Sequence, residues 1–341
     1  MTASPDARSQ PSWLEAIAVY LKPRVLIVMF LGFSSGLPLA LSGATLLVWM
    51  RESGVNLATI GLFALVGTPY TVKFLWAPLT DALDVPVLSR LLGRRRGWLV
   101  FTQILLMAAI VFLGFCNPAT SPALVAFGAL LVATASATQD IVVDAFRVES
   151  LPENEQAAGM ASYVAAYRIG MLISTAGALF LVSAIEASGF DKQSAWRWGY
   201  VAMAGLVVIG IITALVATEP ERSVEAEAAR AGEKPFARVV EAAVGAFKDF
   251  LGYELAFVML AFVVLFKFTD ALSGAMTAPF VIDLGFTRNE YAAIVKGVGL
   301  AALLLGGFAG GFIARALPLA ASLWIGGILQ AIPYLNKLVG A

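Results

Sequence analysis

The stretch TASATQDIVVDAFR (134–147) sets Asp140 and Asp144 four residues apart, with Arg147 three further on, after about a dozen uncharged apolar or small residues. On a helix, residues three and four apart share a face. A charge at membrane depth costs about 2.5 kcal/mol or more, so each must meet water, protein or a partner. Asp140 lies about one turn deeper in the apolar run than Asp144. Desolvation and a like charge nearby both favour the protonated form of a carboxylate. Asp140 is therefore a candidate for taking up and releasing a proton, and Asp144 shares that candidacy. The plainer reading is structural: Arg147 neutralises Asp144 and the cluster pins a helix end.

Further charges interrupt other apolar blocks. Lys267 and Asp270, in LFKFTDALSG, stand three apart near the middle of such a block. They can pair, and protonating Asp270 would free Lys267 to hold an anion; a buried pair that fixes packing is the alternative. Lys73, in YTVKFLWAP, either snorkels to an interface or offers a cation for a carboxylate, with Tyr70 and Trp76 beside it. Arg168 stays charged at any working pH. It calls for a carboxylate from another element, with Asp140 the first candidate, or it clamps an anionic cargo. Lys296 has a similar case. Finally, APLTD (77–81) precedes GRRRG (93–97), so Asp81 can latch to Arg94, Arg95 and Arg96 across two helix ends, with Arg147 as a further gate residue. Simple anchoring by positive charge also explains the arginines. Trp49, Trp76, Trp98 and Trp196 sit near the ends of apolar blocks, where interfacial anchoring is the default, with sugar stacking by Trp49 or Tyr70 the alternative.

The elements that must position these groups are membrane helices. The chain has 341 residues, 60% hydrophobic and 13% charged, against about half and about a quarter for soluble domains. Nine blocks are long enough to span: 25–50, 58–79, 98–115, 122–145, 158–185, 197–217, 253–280, 290–314 and 319–338. Their length and continuity exclude barrel strands, so the fold is an all-α polytopic bundle. With no histidine and one cysteine, His proton relays, His metal sites and Ser/His or Cys/His catalysis are out. Neither a metal centre nor a cofactor site nor an enzyme is expected, and no GxxxxGK[ST] loop suggests an ATP-driven pump. Zero net charge gives nucleic acid no support. The first 24 residues lack a signal-peptide apolar core, so the first block is a permanent span.

Basic residues orient the chain. With the N-terminus in the cytoplasm, fourteen lysines and arginines fall on that side, against Arg51, Lys192, Arg197, Arg288 and Lys337 on the other. The segments are then a cytoplasmic N-terminal stretch (1–24), a six-helix half (25–217), a polar cytoplasmic linker (218–250) and a partial second half of about three helices (251–341). ALSGA occurs at 40–44 and again at 271–275, and at the same offset Gly54 aligns with Gly285. A parallel repeat of six-span halves is the plan of the major facilitator superfamily. On that plan the second half is truncated. GFSSGLPLALSGATLLVWM in the first block carries Gly32, Gly36, Gly43 and Pro38, which allow close helix approach and a broken span bordering a site.

These motifs carry a resemblance. GFSSGLPLALSGATLLVWM (32–50), IGLFALVGTPYTVKFLWAPLTD (60–81), GRRRGWLVFTQILL (93–106), ATQDIVVDAFRVESLP (137–152), YRIGMLIS (167–174) and LFKFTDALSGAMTAPF (265–280) resemble the AmpG-type muropeptide permeases of the major facilitator superfamily. The likeness runs from about residue 20 to about 330, in the family's order. It implies a multi-pass protein of the bacterial inner membrane. It also implies import of anhydromuropeptides, GlcNAc-anhydroMurNAc with or without stem peptide, driven by protons, for peptidoglycan recycling. The expected partners are that small molecule, protons and the lipid bilayer, and the chain is expected to be a monomer. Import of another anionic metabolite, such as an acyl-CoA or a sugar, and an inactive fragment are the alternatives.

Overall fold

A computed structural model describes residues 18–221, 235–265, 285, 298–318 and 320–329. Among them every regular element is a helix. Six helical spans are long and apolar enough to cross a bilayer: Pro23–Glu52, Leu57–Leu75, Arg94–Phe115, Pro122–Ser150, Glu153–Ala187 and Lys192–Val216, here the first to sixth spans. They match the first six expected blocks, with ends moved by a few residues. The third starts earlier, at Arg94, because the basic cluster forms its first turn. The seventh to ninth expected blocks are described only in part, by helices at Ala256–Leu265, Gly299–Ala316 and Ala320–Leu329. Lys267, Asp270 and Lys296 lie outside the described residues, as does the second ALSGA.

The first span is the packing centre, touching the fourth, fifth and sixth, while the third packs on the fourth and sixth. Its small residues make this possible. A methyl on Gly32 or Gly36 would strike the backbone carbonyl of Tyr163 or Tyr167 in the fifth span. Backbones this close are the signature of small-residue packing in membranes. Further along, the first span breaks where expected. The Ser42 amide and hydroxyl both donate back to Pro38 O at 3.0 Å, and the helix resumes at Ala44.

The orphan carbonyls around this break are met by neighbours. Tyr200 O–H donates to Leu41 O at 2.8 Å. Opposite, the fifth span widens into a π turn at Ile173–Gly177, and Thr45 Oγ1 donates to Ser174 O at 2.6 Å. The two irregularities are thus stitched to each other.

Beyond the break, Trp49 stacks on Trp196 with centroids 5.6 Å apart, and Tyr200 tilts against Trp49 at 5.1 Å. All three are fully buried. The interfacial anchoring expected of Trp49 and Trp196 is therefore wrong: they form the core, with Trp196 Nε1 donating to Glu52 at 3.1 Å. An aromatic near a span end suits either place, and the neighbouring spans decide which.

Outside this six-helix body, the linker helix Pro235–Leu251 packs on Ala77–Ala82. Helix Gly299–Ala316 packs on the fifth span, where Gly311 abuts Ala157 and Ala161 and Tyr20 O–H donates to Phe308 O at 3.3 Å. Gly54 and Gly285, aligned in the sequence repeat, both adopt left-handed backbone, with φ +81° and +92°.

Candidate translocation site

Asp140 is held about two thirds of the way along the fourth span and is buried. Its cation comes from the second span: Lys73 Nζ lies 3.8 Å from Asp140 Oδ2, with the lysine side chain 32% exposed. Lys73 opens a tight turn, Lys73–Leu75, and Pro78 then enters the following helix at its start. That irregular stretch turns the ammonium towards the fourth span. One turn away, Trp76 Nε1 donates to Thr138 at 3.1 Å and locks the two elements together. Lys73 is therefore paired rather than snorkelling.

The pair is incomplete. Asp140 Oδ1 is buried and has no hydrogen-bond partner among the described residues. Tyr70 O–H and Ser136 Oγ, close by on the same two spans, are likewise buried and face each other without a hydrogen bond of good geometry there. Behind Asp140, Gln139 Nε2 donates to Ser34 Oγ and to Ser35 Oγ of the first span, each at 3.4 Å. An apolar groove of about 480 Å³ between the second and fourth spans, lined by Leu62, Phe63, Val66 and Phe127 among others, holds no charged residue.

Arg168 does not meet Asp140. The side chain is exposed, and its contact is with Met171 Sδ at 4.0 Å. The pairing expected of it falls to Lys73, because Arg168 points off the face that packs on the first span. Asp144 is half exposed and pairs with Arg147 at 3.7 Å, the plainer of the two arrangements expected. Arg147 also donates to Gln156 at 3.3 Å.

The basic end forms a second, denser constellation. Arg95 pairs with Asp81 at 2.8 Å, and its Nε donates to Glu149 at 2.9 Å while Nη2 meets the same carboxylate. Arg94 reaches Asp81 O at 3.0 Å. Arg96 donates to Ala214 O and Leu215 O, carbonyls left open at the end of the sixth span. Glu219, just past that span, accepts from the Arg95 and Arg96 amides at 2.8 and 2.9 Å, and so caps the third span with a negative charge. Gly93 makes room: its φ is +93°, and a side chain there would meet the Glu219 carboxylate. Of the three arginines expected at Asp81, Arg94 and Arg95 meet it and Arg96 turns to the sixth span instead, while Glu149 and Glu219 join the cluster. Neither glutamate stands out in the sequence, since acidic residues at a span end look solvated. Burial makes Arg94 and Arg95 more than anchors.

Among the described residues no cluster of three or more Asp, Glu, Cys or His could hold a metal. The arrangement is instead that of a membrane carrier: a bundle of spans with a broken central helix, an ion pair at depth and a charge latch at one end. The Major Facilitator Superfamily model matches residues 19–336, and the chain belongs to that superfamily of membrane transporters. It is 40% identical to the anhydromuropeptide permease of Escherichia coli K12 over 316 residues, 92% of this chain and 60% of the relative. It is 35% identical to a Rickettsia felis protein named as transporter AmpG 4, over 91% of this chain and 72% of the relative. An uncharacterized Haemophilus influenzae protein is 33% identical over 91% of this chain and 69% of its own length. The chain thus spans about three fifths of the Escherichia coli relative.

Proposed function

We propose that the chain works in the inner membrane as part of a proton-coupled importer of cell-wall-derived anhydromuropeptides, feeding peptidoglycan recycling. The 40% identity to a permease named for that cargo supports the substrate class. The observation that carries the coupling is the Lys73–Asp140 pair: a buried carboxylate, half satisfied, facing a cation that is a third exposed. Muropeptides bear carboxylates. When one of them engages Lys73, Asp140 loses its counter-charge inside the membrane, and a proton is the smallest group that can neutralise it. Release of the proton on the far side restores the pair and frees the cargo.

In this reading the N-terminus and the arginine latch are cytoplasmic. Asp81, Arg94, Arg95, Arg96, Glu149 and Glu219 hold the spans together at that face in one state and separate in the other. Residues 25–217 are one half of the carrier, 218–250 the linker and 251–341 the start of a second, parallel half. The matching backbone at Gly54 and Gly285 supports that layout. Arg168, exposed on the fifth span, is available to a cargo anion, with Tyr70 a stacking surface for sugar. Lys267, Asp270 and Lys296 would supply the facing charges, with Asp144 and Arg147 at the gate. The working unit is a monomer in lipid.

The test is binding and uptake of radiolabelled GlcNAc-anhydroMurNAc peptide by the chain in liposomes under an imposed pH gradient. Saturable binding that falls at least tenfold in Lys73→Met is expected. Equal binding by Lys73→Met, or none by either protein, would overturn the reading.

A further inference from the structure

The chain enters the bundle through a short helical turn, Val19–Leu21, and then Lys22, whose extended backbone leads into Pro23 at the start of the first span. This segment is pinned to the six-helix body. Val19 is buried, and Lys22 Nζ lies 2.5 Å from Glu155 Oε1 at the start of the fifth span. Glu155 is buried, and its Oε2 has no hydrogen-bond partner among the described residues. A buried carboxylate calls for a counter-charge, so the ion pair fixes the segment in place. Tyr20, between these two anchors, reaches out of that body. Its ring meets the ring of Phe308, in helix Gly299–Ala316, edge-on with centroids 5.3 Å apart, and its hydroxyl donates to Phe308 O at 3.3 Å. That helix rests on the fifth span over small residues. A methyl on Gly311 would come within 2.8 Å of the Tyr20 oxygen, 3.1 Å of Ala161 Cβ and 3.2 Å of Ala157 O. Small residues let helix backbones approach closely without interlocking side chains. Such surfaces can part, and the Tyr20 contacts to Phe308 are lost when they do.

We infer that residues 19–22 form a strap from the six-helix body to helix Gly299–Ala316, with Lys22 its anchor and Tyr20 its catch. Closed, the strap holds the helix on the fifth span at the end of the bundle that carries the arginine latch. Released, it lets the two separate there. This rests on the reading of the chain as two halves that move against each other, and it adds the residue that sets the balance between their states. The arginine latch joins spans of the first half to one another, whereas the strap crosses from one half to the other. One hydrogen bond shifts such a balance by about fivefold, and an aromatic edge contact beside it brings the total to about tenfold or more.

The experiment is a pulsed electron-spin distance measurement on the full chain in liposomes. Cys116→Ala removes the native thiol, and spin labels are placed on Met160→Cys of the fifth span and Leu305→Cys of the facing helix, both exposed. The ratio of long to short separations is expected to rise about fivefold in Tyr20→Phe, which loses only the hydroxyl. It is expected to rise about tenfold or more in Tyr20→Leu, which loses the ring contact too, and to rise in Lys22→Met, which frees the anchor. A second label pair, Met160→Cys with the exposed Phe101→Cys of the third span, reports the six-helix body itself and is expected to keep its distance in the Tyr20 variants. An unchanged ratio in Tyr20→Leu would overturn the strap. So would a shifted Met160–Phe101 distance in the same variant, which would make Tyr20 a support of the body's own fold. The measurement uses no muropeptide, so its failure and the failure of the cargo reading are told apart.

Discussion

The latch at the basic end and the pair at mid-span use the same chemistry, carboxylate against cation, in opposite ways. At the latch, Arg95 is shared by two carboxylates, Arg96 reaches carbonyls, and Glu219 closes a helix N-terminus. Around Asp140 one lysine sits at 3.8 Å, and several oxygens in the same region have no partner. A network in which each charge has several partners resists change until several bonds break together. A sparse pair can exchange partners, because the alternatives differ by little. The same fold thus gives its charges several partners at one end and a single long pair further in, the difference on which the proposed division between holding and switching rests.

That contrast can be broken most severely at Arg95. Arg95→Gln would leave Asp81 and Glu149 the longer contacts to Arg94, at 3.8 and 3.5 Å, and should lower unfolding stability by about 2–3 kcal/mol, measured as melting in detergent. The partial exposure of both carboxylates keeps the loss below that of a wholly buried pair. Gly36→Ala comes next. Its methyl meets the Tyr167 carbonyl, so the first and fifth spans must part, costing about 2 kcal/mol in the same assay. Thr45→Val removes the stitch to Ser174 O, for about 1 kcal/mol. Asp140→Asn should be smallest, within about 1 kcal/mol, because it replaces a half-satisfied carboxylate with an amide of the same size. An Asp140→Asn loss as large as that of Arg95→Gln would erase the distinction between the two regions.

The sequence announced Asp140, because a charge in an apolar run is conspicuous, and it announced Asp81 and the arginines through their spacing. It did not say which cation Asp140 meets. The local pattern pointed to Arg168, and the outcome, Lys73, depends on how the second and fifth spans rotate against the fourth. The break at Ser42–Gly43 was legible from Pro38 and the glycines, whereas the π turn at Ile173–Gly177 leaves no mark in ISTAG. Ser34, Ser35 and Gln103 were silent for a different reason: small or neutral polar residues barely lower the hydropathy of a span, and their burial appears only when four helices converge. Trp49 and Trp196 were misread because belt and core ask for the same residue at the same depth. Six spans and their order came through, since length and continuity of apolar runs are governed by bilayer thickness alone.

The central claim is that Asp140 carries the transported proton and that Lys73 is its exchangeable partner. Uptake driven by an imposed pH gradient, set beside gradient-free exchange of labelled for unlabelled muropeptide in the same liposomes, tests it directly. Asp140→Asn should lose gradient-driven uptake while keeping exchange, with its melting temperature close to wild type. Gradient-driven uptake at the wild-type rate in Asp140→Asn would contradict the account.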